Sequence, residues 1–325
     1  MDFQDISTVE LDKPWWDQNL NDAYAINGRI FVTSGSAMTS SWDEIFVLYF
    51  NTTIASDLDA EMNLYQEVKD GKWTLDRLHQ LILAADTMLN DGGDEDDTYG
   101  LSTQAFYAVP SLLGTNNITY GLLNDQGKVE NATLSEVFLN TALHLAEKFA
   151  GGSTIYYGND ECDTVFTNGN ALFLNQCIGD MTRMRDLDEF DYGILPMPKY
   201  TEEQDRYYSY SGAQYLLFVP YTCGDLEKTG IVLNAMMGLS EYTLKQVYVE
   251  DMLGQIYSRT PEASEMLFDY VLPNTLYDVG GRSGLRFNTV LPLDTMIPGG
   301  MTEIASMIDA AKDIIQAKVE AANGV

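Results

Sequence analysis

Flat aromatic side chains are the chemistry this chain supplies most freely. Trp15, Trp16, Trp42 and Trp73, with the run Tyr207-Tyr208-Ser209-Tyr210, bring ring faces close to hydrogen-bonding neighbours. That pairing suits a sugar, whose C–H face packs on an aromatic plane while polar side chains take its hydroxyls. Any one such ring is more often a core residue, so position has to decide. Groups for covalent or metal chemistry are scarce. GxxxxGK[ST], GxGxxG, HExxH and GxSxG are all absent, which removes the phosphate loop, the dinucleotide loop, the zinc-protease helix and the nucleophile elbow. The two histidines, His79 on the polar side of a helix and His144 inside another, read as structural or solvated. Glycoside hydrolysis takes two carboxylates at a fixed separation. With 49 Asp and Glu, pairs arise by chance, so a carboxylate-pair hydrolase stays open as an alternative that no motif singles out. The loop Asn90 to Asp97 (NDGGDEDD) offers oxygen ligands suited to calcium but lacks the D-x-[DN]-x-[DN]-G spacing, so it reads as a solvated acidic turn. No metal and no cofactor is expected.

At 325 residues the chain is long enough for about two domains. Hydrophobic residues make up 45% and aromatics 11%, enough to bury large cores. Lys and Arg number 18 against 49 acidic residues, a net charge of −31 that repels nucleic acid and anionic lipid and leaves a neutral ligand unaffected. Cys162, Cys177 and Cys223 form no CxxC and are odd in number, so neither a disulfide framework nor a zinc site is indicated. No apolar run approaches the roughly 18 residues of a transmembrane helix. The acidic start MDFQDISTVELDKPWWDQ has no charged-then-apolar signal segment. The N-x-[ST] matches at Asn51, Asn117 and Asn131 read as chance.

The elements that would position these residues can be placed from periodicity. Asn27-Gly28 before Ile30-Phe31-Val32 is a hairpin signal. The run IFVLYF, residues 45–50, predicts a strand buried on both faces, and YLLFV, 215–219, predicts a second one closed by Pro220. Helices are expected at 74–89, with Thr74 as N-cap and Leu75, Leu78, Ile82, Ala85 and Leu89 on one face, at about 134–149 and at 180–187. Thr222 and Asp225 have capping-box spacing before another helix; more follow at 241–257 and 261–271, the latter with Pro261 at its start. Residues 276–300 read as loop. A last helix at 301–322 puts Ile304, Ile308, Ala311, Ile315 and Ala322 on one face. The two apolar strands bracket a central block, so the sequence predicts that they cross together between two lobes as a hinge.

Several blocks, in order, resemble one family. They are Pro14-Trp15-Trp16-Asp17 followed by Ala25 to Arg29, then Val47 to Asn51, and then Gly71 to Leu101 with its order Gly-Lys-Trp-Thr, helix, acidic loop, Tyr-Gly-Leu. Phe166 to Phe173 fits an F-x-x-G-x-A-L-F unit; Tyr192 to Tyr200 with Tyr207 to Tyr210, and Arg259 to Met266, complete the series. From about residue 10 onward the chain resembles bacterial extracellular solute-binding proteins of family 1, the ligand-capturing parts of ABC sugar importers.

The resemblance implies an α/β, two-lobe, type II periplasmic-binding-protein-like fold with crossing hinge strands. Residues 1–48 would be the remainder of lobe one, 49–206 lobe two, 207–275 the return to lobe one, and 276–325 a third crossing and a C-terminal helix packing on lobe two. It implies a non-catalytic, monomeric, extracytoplasmic protein that closes on a carbohydrate, expected to be an oligosaccharide, and docks on the transmembrane subunits of an ABC permease. It also implies ligand-facing positions. Trp42, Asp43 and Glu44 precede the first crossing, Asn175 and Gln176 stand at the cleft edge, and Tyr207, Tyr208 and Tyr210 lie at the second crossing. The expected roles are hydroxyl hydrogen bonding for Asp43, Glu44, Asn175 and Gln176 and ring stacking for the aromatics. The family's lipoprotein signal, lipidated Cys and opening lobe-one elements find no match, so lobe one is expected to be incomplete, as in a truncated reading frame or a non-binding remnant, with apolar faces left exposed and lobe two folding as a unit.

Overall fold

A computed structural model describes residues 1–89, 98–158, 161–184, 187–257, 259–281 and 285–324. The acidic loop Asn90–Asp97 lies outside the described residues. A five-stranded sheet organises the larger lobe: β1 (Phe46–Asn51), β2 (Tyr99–Thr103), β3 (Ile155–Tyr157), β4 (Ala171–Cys177) and β5 (Tyr192–Leu195), in the order β3-β2-β4-β1-β5. β2 runs parallel to β3 and β4, whereas β1 is antiparallel to both β4 and β5. All six residues of β1 are buried, as its unbroken apolar run requires of a strand covered on both faces. Alternation sends Leu48 and Phe50 into one core and Val47 and Tyr49 into the other.

The first core is closed by helices α1 (Leu75–Leu89), α2 (Ala105–Gly114) and α3 (Glu136–Lys148). α1 buries Leu75, Leu78, Ile82 and Ala85 of the expected stripe, with Leu81 beside them, while Leu89 is half-buried. The Thr74 hydroxyl accepts from the Arg77 amide at 3.3 Å. Only glycine fits at Gly100, because a Cβ there would lie 2.2 Å from the Ile82 carbonyl oxygen; β2 thus seats directly on α1. Trp73 is fully buried, 5.9 Å from the Phe173 ring, and its indole donates to the Pro196 carbonyl at 3.0 Å. The C-terminal helix α5 (Ile304–Asn323) also packs into this core through Ile304, Ile308, Ala311, Ile315 and Val319. Asn323 clips its end to Val129, accepting from the amide at 2.9 Å and donating to the carbonyl at 3.0 Å. No described helix is long and apolar enough to cross a membrane.

The other side of the molecule differs from expectation. YLLFV does not form a strand: it makes one isolated bridge, Leu217 to Thr33, and Tyr215 and Phe218 are exposed. Nor does it cross beside β1, whose neighbours are β4 and β5. The crossing is built instead from three segments held together: Ile45 bridges Ser211, Ser209–Tyr210 pairs in parallel with Thr275–Leu276, and the Gly212 amide donates to the Glu44 carbonyl at 2.8 Å. Asn27-Gly28 makes a left-handed turn (φ 53° and 70°) without a flanking hairpin. Asp225, not Thr222, caps α4 (Leu226–Glu241). The expected helix at 241–257 is a short turn, Leu244–Gln246, running into a π-helical stretch, Val247–Tyr257; the next opens at Pro261 under a Thr260 cap and widens from Met266. Among the described residues, the segments before β1 and from 211 to 274 contain no sheet of their own.

The two histidines sit together, on α1 and α3. Lys148 donates to Asp76 at 2.6 Å, and His144 lies 3.8 Å from the same carboxylate. Burial first, then the Lys148 charge, holds both imidazoles below their ordinary value, with Asp76 opposing. A depressed histidine is stable neutral in the fold. Its contribution is therefore present above the unfolded imidazole value, about 6.5, and is lost as pH falls through the lower folded value. In urea melts between pH 7 and pH 5, His144→Gln is expected to lose less stability than the parent over this interval. Parallel curves would remove the imidazole as the cause.

Candidate functional site

The residues around Trp15 and Trp42 form a cavity of about 540 Å³. The N-terminal segment makes one wall. Asp17 caps the helix Gln18–Tyr24, its Oδ1 accepting from the Leu20 amide at 2.9 Å, while Oδ2 accepts from the Tyr277 hydroxyl at 2.6 Å. The indoles of Trp15 and Trp16 both donate to Asn234 Oδ1, at 3.2 and 3.4 Å. Gly35 bridges Trp16; a Cβ on it would stand 2.3 Å from the Trp15 carbonyl, so the loop carrying Ser34 and Ser36 lies flat against the tryptophans.

The opposite wall comes from residues 245–277. Lys245 reaches the cavity held by both oxygens of Glu241, at 2.9 and 3.0 Å, and the Ser36 hydroxyl donates to the same carboxylate. Phe268 and Tyr277 add two more rings. Trp42 closes one end, its ring 5.5 Å from that of Tyr248, whose hydroxyl donates to Asp43. Burial raises the Asp17 carboxyl above the usual range against the Tyr277 bond, the helix amides and Lys245; burial likewise raises Asp43. The cavity can therefore stack an apolar ring face and answer hydroxyls with Asp17, Asn19, Ser34, Ser36 and Lys245.

A second cavity, of about 640 Å³, adjoins the first and shares Asn19, Pro273, Thr275 and Tyr277 with it. It opens between the helix Gln18–Tyr24 and the 116–123 loop, and Tyr208, Arg206, Asn116 and Asn274 face it.

The expected site residues therefore separate. Trp42 lines the first cavity, with Asp43 behind it through Tyr248; Tyr208 lines the second. Glu44 serves the crossing through its carbonyl. Asn175 is not at a cleft edge. It lies inside the sheet opposite Leu48, and its amide donates to the Val47 carbonyl at 3.1 Å. Gln176 is buried beside it and donates to Asp163 at 3.1 Å. Tyr207 is buried with its hydroxyl on the Val68 carbonyl at 2.8 Å and its ring edge-on to Tyr270, and Tyr210 is buried at the crossing. These four side chains are committed to packing and line neither cavity. Asp17, Ser34, Ser36, Lys245 and Tyr277 were not foreseen. The run Trp-Trp-Asp flags Asp17, whereas nothing local marks Tyr277, 260 positions away.

No protein-family profile matches the chain, and no curated protein matches it. Solved structures do. An ABC substrate-binding protein from Listeria monocytogenes in complex with cycloalternan superposes with a TM-score of 0.62 at 11% identity, over 98% of this chain and 79% of that one. UgpB from Mycobacterium tuberculosis in complex with glycerophosphocholine gives 0.62 at 13% identity, over 98% and 78%. A Streptococcus pneumoniae solute-binding protein in complex with the blood group A-trisaccharide gives 0.58 at 13%, over 98% and 79%. The fold is thus the expected α/β, type II periplasmic-binding-protein-like one.

Proposed function

We propose that this protein, with the fold of ABC solute-binding proteins, captures a carbohydrate outside the cytoplasm and hands it to a permease without making or breaking a bond. One observation carries this reading: an aromatic-lined, hydroxyl-answering cavity beside a three-segment crossing, in a fold whose solved neighbours hold cycloalternan and the blood group A-trisaccharide. Trp42 and Trp15 would stack on sugar faces, and Asp17, Ser34, Ser36 and Lys245 would take hydroxyls. Ile45, Ser209 to Ser211 and Thr275 to Leu276 would flex as the lobes close. A hydrolase is disfavoured because, among the described residues lining this cavity, Asp17 is the single carboxylate where hydrolysis needs two.

Thermal melts against a panel of neutral oligosaccharides test the reading. A cognate sugar at 100 times its Kd should add about 2.7 kcal/mol. Trp42→Ala removes a ring from the lining and is expected to weaken that sugar by about 1.5–3 kcal/mol, roughly tenfold to a hundredfold. Sugar breakdown by the protein, or equal affinity in the variant, would overturn the assignment.

A further inference from the structure

We propose that the cavity selects a ligand carrying a cationic amino or ammonium group, seated against the tryptophan faces with Asp17 as its counter-ion. The proposal rests on the carbohydrate reading for the remainder of the ligand.

The argument starts from the balance of charge in the lining. Two ionisable side chains of opposite sign face the cavity, Asp17 and Lys245. Lys245 is matched before any ligand arrives, because both oxygens of Glu241, one turn earlier on the chain, receive its ammonium. Among the described residues, Asp17 has neutral partners at hydrogen-bond distance, the Leu20 and Asn19 amides and the Tyr277 hydroxyl, while the Lys245 charge reaches it through space without an ion-pair contact. An ionised carboxylate offers about four lone-pair sites, so acceptor capacity remains toward the cavity. Among the described residues, the cavity thus holds one carboxylate that no cation approaches within ion-pair distance. A neutral hydroxyl would satisfy its hydrogen bonding but not its charge; a ligand ammonium would satisfy both.

The surrounding surface suits the same group. Trp15, Trp16, Trp42, Phe268 and Tyr277 all contribute to the lining. Ring faces attract cations through their quadrupole, tryptophan most strongly. The chain's net charge of −31 raises the local concentration of cations before they reach the site. Burial raises the Asp17 carboxyl against the Tyr277 bond, the helix amides and the Lys245 charge, and a ligand ammonium in direct contact would favour its ionised form.

Tryptophan fluorescence titrations on the full chain test this with three probes: a fully de-N-acetylated glucosamine trisaccharide, its N-acetylated counterpart, and tetramethylammonium alone. At about pH 6 the free amines are protonated, and the amino form is expected to bind at least about tenfold more tightly than the N-acetylated one. Tetramethylammonium should compete with it. Asp17→Asn keeps an efficient helix cap, so the variant should still melt cooperatively, and it should bind the amino and N-acetylated trisaccharides with equal affinity. Equal affinity for the two trisaccharides, or a preference that survives Asp17→Asn, overturns the proposal. Binding of neutral sugars alone would overturn it and leave the carbohydrate reading standing. Binding of tetramethylammonium without any saccharide would keep the cation site and remove the carbohydrate reading, and binding of no probe would remove both.

Discussion

Asp278→Ala is expected to destabilise the fold by about 3–5 kcal/mol, because this one carboxylate terminates four backbone donors inside the protein. Asp278 is 1% exposed. Its Oδ1 accepts from the amides of Gly280, Gly281 and Gly121 at 2.8, 2.9 and 3.2 Å, and its Oδ2 from Tyr120 at 3.1 Å. Two of those donors belong to the 118–123 segment and two to the chain just past Thr275–Leu276. The contact is too tight to rearrange: a Cβ on Gly121 would stand 2.8 Å from Gly280 Cα. Burial holds the carboxyl above the usual range while the four amides pull it down. Alanine leaves all four donors in place with no acceptor. Asn keeps one carbonyl oxygen, so Asp278→Asn should fall between parent and alanine. Urea melts of the three proteins decide the matter; a loss below about 1 kcal/mol for alanine would mean that water replaces the carboxylate.

Charging the outer face of α4 is expected to abolish hydrophobic-dye binding without cost to stability. α4 buries only Gly230 and Met237 of its sixteen residues. Ile231, Val232, Met236 and Leu239 are 52%, 58%, 41% and 68% exposed, and the apolar surface continues through Tyr242, Leu244 and Val247. Its inner face is fixed against the N-terminal segment, where a Cβ on Gly230 would meet the Thr8 hydroxyl at 2.1 Å, so the helix cannot roll to hide the rest. A contiguous apolar surface of this kind binds dye and promotes association. Ile231→Lys with Leu239→Lys should remove most of the fluorescence enhancement of an anilinonaphthalene sulfonate dye and shift stability by no more than about 0.5 kcal/mol per site. Unchanged fluorescence in the double variant would place the dye site elsewhere.

The helix α4 also explains why one half of the molecule was easier to foresee than the other. β1 carries an unbroken apolar run that matches its burial on both faces, α1 and α5 each carry a helical stripe that matches the face they bury, and all three pack against partners of the same chain. YLLFV is as apolar as IFVLYF, yet it gains one bridge where β1 gains two neighbouring strands. A strand is stabilised by the ladder beside it, and no local pattern says whether that ladder exists. The site divides in the same way. Trp42, singled out by the family resemblance, lines the first cavity. Asn175, singled out in the same way, does not, because its depth depends on the register that sets it opposite Leu48.

The sequence by itself therefore determined the element types of the larger lobe, the absence of nucleotide and histidine-metal motifs, and a supply of aromatic rings near the crossings. Those follow from composition and from periods of two and 3.6 residues, which are properties of neighbouring positions. Only the tertiary structure decided which rings share a cavity, that Tyr277 meets Asp17 and that Lys245 lines the same cavity, and which apolar faces find a partner. The physical reason is range. Shared lining and burial depend on groups as far apart in the chain as Asp17 and Tyr277, and only packing brings those within a hydrogen bond of each other.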